Sequence, residues 1–128
     1  MANTYTRIYL QMVFCPYDRD SIIPEKHKEE LHRYMTGIIQ HRGHKLLAIN
    51  NMKDHIHIFI GYNQMQLIPE LMRDLKAISS KFINDKKWLP CRFRWQEGYG
   101  TFSYCHSEKD TVIKYINNQE EQDRKSVV

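Results

Sequence analysis

Residues 5–15 alternate apolar and polar side chains with a period of two. Ile8, Leu10, Met12 and Phe14 fall on one side, and Tyr5, Arg7, Tyr9 and Gln11 on the other, the pattern of a half-buried strand. Pro24 suits the first turn of a helix. Leu31, Tyr34, Met35 and Ile38 then recur at helical spacing, and the helix should stop before Gly43. Residues 45–51 read as a second strand, residues 52–54 as a turn, and residues 55–62 as a third strand. A second helix is expected over about residues 67–84, with an apolar stripe of Ile68, Leu71, Met72, Leu75, Ile78 and Phe82 that leaves Arg73, Lys76 and Ser80 on or near the opposite side. Residues 92–96 suggest a fourth strand and residues 101–105 a short fifth segment after a turn at Gly98 and Gly100. Ser107 followed by Asp110 fits a capping signature for a last helix over about residues 108–121.

The order is βαββαβ with an added strand and helix. The economical arrangement is an α+β, ferredoxin-like antiparallel sheet with the first two helices on one face and strands one and three as central neighbours. The 128 residues suffice for one core, and no repeat, linker or low-complexity tract divides them, so residues 1–128 are expected to form a single domain. No apolar run approaches the ~20 residues that span a bilayer. The first seven residues lack a basic region leading into an apolar stretch, so a cytoplasmic protein without a membrane partner is expected. Three dispersed cysteines, Cys15, Cys91 and Cys105, form no Cys-x-x-Cys pair. They are expected to be small buried or half-buried side chains rather than disulfides or zinc ligands. A net charge of +4 leans towards a polyanionic partner.

Period-two geometry places His55 and His57 on one strand face while Ile56, Ile58 and Ile60 enter the core. Two imidazoles so placed can share one cation, although the same pattern also occurs on solvated strands. Tyr115 and Gln119 stand one helical turn apart on one face. Gln119 can supply an amide oxygen as third ligand and Tyr115 can reach a group bound to the same cation; equally, the tyrosine can pack and the glutamine face solvent. Phe93 and Trp95, alternating with Arg92 and Arg94, fit either stacking on unpaired bases or burial in the core. Arg73, Lys76 and Lys81 fit either a DNA groove or a solvated helix face.

The stretch Asp54-His55-Ile56-His57 resembles the His-hydrophobic-His motif of HUH nucleases. The segments at residues 95–103, from Trp95 through Gly98-Tyr99-Gly100 to Ser103, and at residues 112–121 around Tyr115 and Gln119 closely resemble the single-tyrosine TnpA transposases of insertion sequences that move as single-stranded DNA. Leu75-Lys76-Ala77-Ile78-Ser79-Ser80-Lys81 is similar to that family's Leu-Lys-Gly/Ala-x-Ser-Ser-Lys/Arg segment, and the resemblance covers about residues 3–122.

This resemblance implies a transposase that cleaves and rejoins single-stranded DNA at insertion-sequence ends. Tyr115 would be the nucleophile, and His55, His57 and Gln119 the ligands of Mg2+, with Mn2+ as a substitute. A 5′-phosphotyrosine and a free 3′-hydroxyl are the expected products. DNA hairpins would be recognised by residues such as Arg73, Lys76, Lys81, Arg92 and Arg94, in a homodimer that needs no nucleotide cofactor. Chemistry supports the roles: a phenol attacks a phosphodiester only when the phosphate charge is neutralised and the attacking and leaving oxygens are in line. Its base is not identified; a metal-bound water and a side chain are equal candidates.

Two departures stand out. Lys53 replaces the usual Pro, which alters a turn. The chain ends at Val128, 13 residues after Tyr115, with Gln122 and Asp123 where relatives often carry His, so a shortened tail is expected. The alternative function is therefore a truncated or domesticated module that grips hairpin DNA without transposing. An RNA-binding ferredoxin-like domain is disfavoured because the RRM signature is missing.

Overall fold

The computed structural model describes residues 8–18, 22–52 and 54–118. Strand β1 (Ile8–Phe14) leads to helix α1 (Glu25–His41), then β2 (Lys45–Met52), β3 (His55–Tyr62), helix α2 (Ile68–Lys86), β4 (Gly100–Tyr104), a 3-10 turn (His106–Glu108) and helix α3 (Lys109–Asn117). The sheet order is β2-β3-β1-β4 with every pair antiparallel. This is the expected ferredoxin-like arrangement, with β1 and β3 as the central neighbours.

Alternation in β1 and β3 divides the apolar side chains between two layers. Leu10, Met12 and Phe14 from β1 join Ile56, Ile58 and Ile60 from β3, and pack against Leu31, Met35, Ile38 and Ile39 of α1 and Leu71, Met72, Leu75 and Ile83 of α2. Tyr34, expected in the α1 stripe, lies at the edge of this layer and stacks on Phe82 with ring centroids 3.8 Å apart. The opposite face of the sheet is covered too. Phe59 and Ala48 pack with Val112 and Ile116 of α3, flanked by Tyr9, Leu47, Tyr104 and Ile113. A register shift between Leu46 and Ala48 lets the consecutive residues Leu47 and Ala48 both serve this second layer.

Helix α3, at nine residues, is too short to hold itself in water. Burial of Val112 and Ile116 supplies roughly 1.5–3 kcal/mol each. The Asn50 side chain adds a hydrogen bond to the Ile116 carbonyl at 2.8 Å. Docking of α3 is what turns the polar side of β1 into an enclosed surface: Gln11, expected on that polar side, is only 5% exposed.

The structure corrects three expectations. Residues 92–96 are not a sheet strand, and the described residues contain four strands, the last at Gly100–Tyr104. The segment makes a single bridge, Pro16 to Trp95, because α2 supplies its remaining partners. Asn84 Oδ1 accepts from the Phe93 N–H at 2.7 Å and Asn84 Nδ2 donates to the Phe93 carbonyl at 2.9 Å. Phe93 and Trp95 are core, with Trp95 Nε1 donating to the buried Ser79 hydroxyl at 2.9 Å. The last helix begins at Lys109 behind the 3-10 turn without a side-chain cap from Ser107; the capping contact belongs to the turn, where the Glu108 carboxylate accepts from the Cys105 N–H at 2.8 Å. Finally, Cys91 and Cys105 are exposed, and only Cys15 is half-buried. Among the described residues no helix is long and apolar enough to cross a membrane.

One histidine in this scaffold has a consequence for stability. His32 of α1 is half-buried, its Nε2–H donating to Asn51 Oδ1 at 2.5 Å, and burial lowers its pKa below the ordinary 6.5. A depressed histidine pKa means that the unfolded chain takes up the proton first. This group's contribution to stability is therefore complete above pH 6.5 and declines as the pH falls below it. Thermal unfolding between pH 5 and 8 is expected to show a smaller acid-side loss in His32→Gln than in the unaltered chain.

Candidate active site

His55 and His57 project from β3 towards the α3 side of the sheet, their ring centroids 4.9 Å apart. Each ring is held by an oxygen on its Nδ1. His55 Nδ1 lies 2.9 Å from an Asp54 carboxylate oxygen, and His57 Nδ1 lies 2.5 Å from Gln11 Oε1. Gln11 in turn donates from Nε2 to the Tyr104 hydroxyl at 2.9 Å. An acceptor at Nδ1 sets the tautomer: the proton sits there, and Nε2 keeps the lone pair in each ring. In the neutral form each ring presents Nε2 as its basic atom, and two such imidazoles, each braced by an outer oxygen, are a donor set suited to a divalent cation. Among the described residues no group of three His, Cys, Asp or Glu is placed to hold a metal ion.

Tyr115 is reached by a different route. Thr111, Val112 and Tyr115 share one face of α3; Val112 enters the second layer while Tyr115, at the rim, stays 42% exposed. A cleft of about 550 Å³ opens between this helix face and the sheet, lined by Gln11, Val13, His57, Phe102, Tyr104, Glu108, Thr111 and Tyr115 among others. The fold thus brings His57 of β3 and Tyr115 of α3 to the walls of one cavity. Gln119 lies outside the described residues, as do Tyr5 and Arg7.

A second cleft, of about 510 Å³, continues along the strands from the first. It is lined by Val13, Cys15, Asp54, His55, Glu97 and Tyr99, among others, and Val13 borders both cavities.

The five basic candidates are dispersed. Arg73 and Lys81 stand on the exposed side of α2, next to Asp74 and Asp85 respectively. Arg94 lies over the Tyr17 ring, 3.6 Å from its centroid, and Arg92 is exposed near the end of α2. Lys76 differs: its ammonium donates to the carbonyls of Gln96 at 2.8 Å and Gly98 at 2.6 Å, and lies within 6 Å of the Phe14 and Tyr99 rings. Burial there holds its pKa below the usual lysine value.

Gln11 and Tyr104 complete the polar chain to His57. Alternation in β1 puts Gln11 on the polar side of the strand, but nothing local indicates that its amide bridges His57 and Tyr104. No signal in the sequence pointed to Tyr104.

The family described as Transposase IS200 like matches residues 4–119. The ISDra2 transposase TnpA of Deinococcus radiodurans is 19% identical over 119 residues, covering 88% of this chain and 84% of that protein. A crystal structure of a candidate transposase from Deinococcus radiodurans R1 superposes with a TM-score of 0.72 at 17% identity, over 93% of this chain and 95% of the other. A REP-associated tyrosine transposase, in a structure bound to a REP hairpin, superposes with a TM-score of 0.68 at 12% identity, over 96% and 73%. With this fold, the paired histidines and the tyrosine helix, the chain belongs to the IS200-like transposase family, the single-tyrosine HUH transposases.

Proposed function

We propose that the protein cleaves and rejoins single-stranded DNA carrying hairpins, through a 5′-phosphotyrosine formed on Tyr115. The observation that carries this reading is the cleft that His57 and Tyr115 line together. The Tyr115 oxygen forms a bond to phosphorus as the bond from phosphorus to the 3′-oxygen breaks. The proton lost by the phenol is matched by the one the 3′-oxygen gains. The new ester conserves the bond energy, so a 3′-hydroxyl of another strand reverses the step and is joined without a nucleotide cofactor.

The Nε2 atoms of His55 and His57, with Gln119 as the third ligand implied by the family resemblance, would hold a divalent cation such as Mg2+ or Mn2+. Bound there, the cation supplies charge neutralisation and a template for the phosphate. The protein's own part is to aim the two imidazoles through Asp54 and Gln11, and to present Tyr115 from a helix docked by Val112 and Ile116. Arg73 and Lys81 suit the phosphates of a folded hairpin. The Lys81–Asp85 pair is exposed, and exposed pairs are worth only about 0–1 kcal/mol, so a phosphate displaces Asp85 readily; Arg73 is itself exposed, while its half-buried neighbour Asp74 is also held by Arg42. A homodimer is carried over from the family resemblance alone.

The test incubates the protein with single-stranded DNA flanking its own coding sequence, with Mg2+ or Mn2+, and resolves the products on a denaturing gel. A protein–DNA adduct that disappears with EDTA is expected; salt-sensitive hairpin binding without any adduct would favour the non-transposing module. Because Gln11 orients His57, Gln11→Met should weaken Mn2+ binding by roughly 10–100-fold, as loss of an outer-sphere partner generally does. Mn2+ titration followed by calorimetry checks this.

A further inference from the structure

The second cleft has no role in the chemistry above. In-line displacement requires the leaving oxygen to depart on the side of phosphorus opposite the attacking one. Tyr115 lines one cleft and His55 the other, and the two meet at Val13, so a phosphate held at the histidine pair would have its attacking oxygen in the first cleft and its leaving oxygen towards the second. The cavity found in that direction is the one lined by His55, Asp54, Glu97, Tyr99 and Val13. Order along the strands supports the same axis: Gln11 and Val13 of β1 border the first cavity and Val13 and Cys15 the second, while β3 runs from His57 back to His55 and Asp54.

The walls of the second cleft suit a base rather than a phosphate. Two carboxylates line it, those of Asp54 and Glu97, which repel phosphate and accept hydrogen bonds from base amino groups. Tyr99 offers a ring that is 38% exposed. Lys76 reaches the loop of residues 96–99, where it is committed to the Gln96 and Gly98 carbonyls and lies 5.6 Å from the centre of the Tyr99 ring.

We propose that this cleft receives the nucleotide that carries the departing 3′-oxygen, with its base against Tyr99, and that Lys76 is a positioning residue that holds the Tyr99 loop in place. This rests on Tyr115 being the nucleophile. It also separates Lys76 from the other basic residues of α2: Arg73 and Lys81 meet phosphates, whereas Lys76 acts through Tyr99.

The experiment maps the cleaved bond on flanking single-stranded DNA and then uses three strands: intact, abasic at the nucleotide that yields the 3′-hydroxyl, and abasic at the nucleotide that becomes joined to protein. Tyr99→Ala should slow adduct formation on the intact strand about tenfold, the scale of one lost base–aromatic stack. That penalty should vanish on the strand abasic at the 3′-hydroxyl nucleotide and persist on the other. A penalty that persists on the first abasic strand, or vanishes only on the second, overturns the assignment. Lys76→Met should reproduce the Tyr99→Ala penalty without adding to it in the double variant. It should also leave the salt dependence of DNA binding unchanged, whereas a lysine bound to phosphate would lower that slope by about 0.7. A lowered slope overturns the positioning role. Tyr99 is on the surface, so its variant keeps the inference testable if Lys76→Met fails to fold. Failure of the unaltered protein to form an adduct on any strand removes the cleavage reading itself, and this inference with it.

Discussion

Tyr115→Phe is expected to abolish the covalent protein–DNA adduct, lowering its rate by about three orders of magnitude or more, while single-stranded DNA is bound nearly as before. The substitution deletes one oxygen and leaves the ring, so the shape of the cleft is retained. Tyr115 is 42% exposed and Val112 and Ile116 do the docking, so α3 should stay in place, with folding stability altered by no more than about 0.5 kcal/mol. That separation makes the result interpretable, because lost adduct with retained binding and an unchanged melting curve isolates the nucleophile. Full adduct formation by Tyr115→Phe would refute the assignment and send the search to the other hydroxyls that line the cleft, on Tyr104, Ser107 and Thr111.

Local periodicity carried much of this structure. His55 and His57 share a face because strands alternate, and both helix stripes follow from the same kind of pattern, while the central β1–β3 pair follows from the order of the elements. Features that depend on contacts between distant segments were not legible. Residues 92–96 have the composition and the alternating burial of a strand. Yet their backbone pairs with an asparagine side chain from α2, and no alternation reveals that.

The second layer was hidden for a related reason. Tyr9 and Gln11 read as a polar strand face, and only the docking of α3 encloses them. The expected cap at Ser107 is absent because a 3-10 turn, capped by Glu108 on Cys105, precedes the helix. Lys76 carries the family's lysine but faces two carbonyls, a fact that no one-dimensional pattern holds.

His57→Ala is expected to reduce adduct formation about 10³-fold. A cation at such a site stabilises developing charge by several kcal/mol, and roughly each 1.4 kcal/mol is a factor of ten. The cost extends beyond the lost imidazole nitrogen. Gln11, 5% exposed, would lose the imidazole donor opposite its Oε1 while still holding Tyr104 from Nε2. An orphaned buried amide oxygen costs about 1–3 kcal/mol, so the melting temperature should fall by roughly 3–10 °C even without metal. Gln11→Met provides the contrast. It leaves both histidines in place and loosens only the aim of one ring, so, on the proposed cation site, millimolar Mn2+ should restore most of its adduct. The same addition should leave His57→Ala inactive. Rescue of both variants would mean that His57 serves the fold rather than the cation, and rescue of neither would mean that Gln11 acts on the DNA itself.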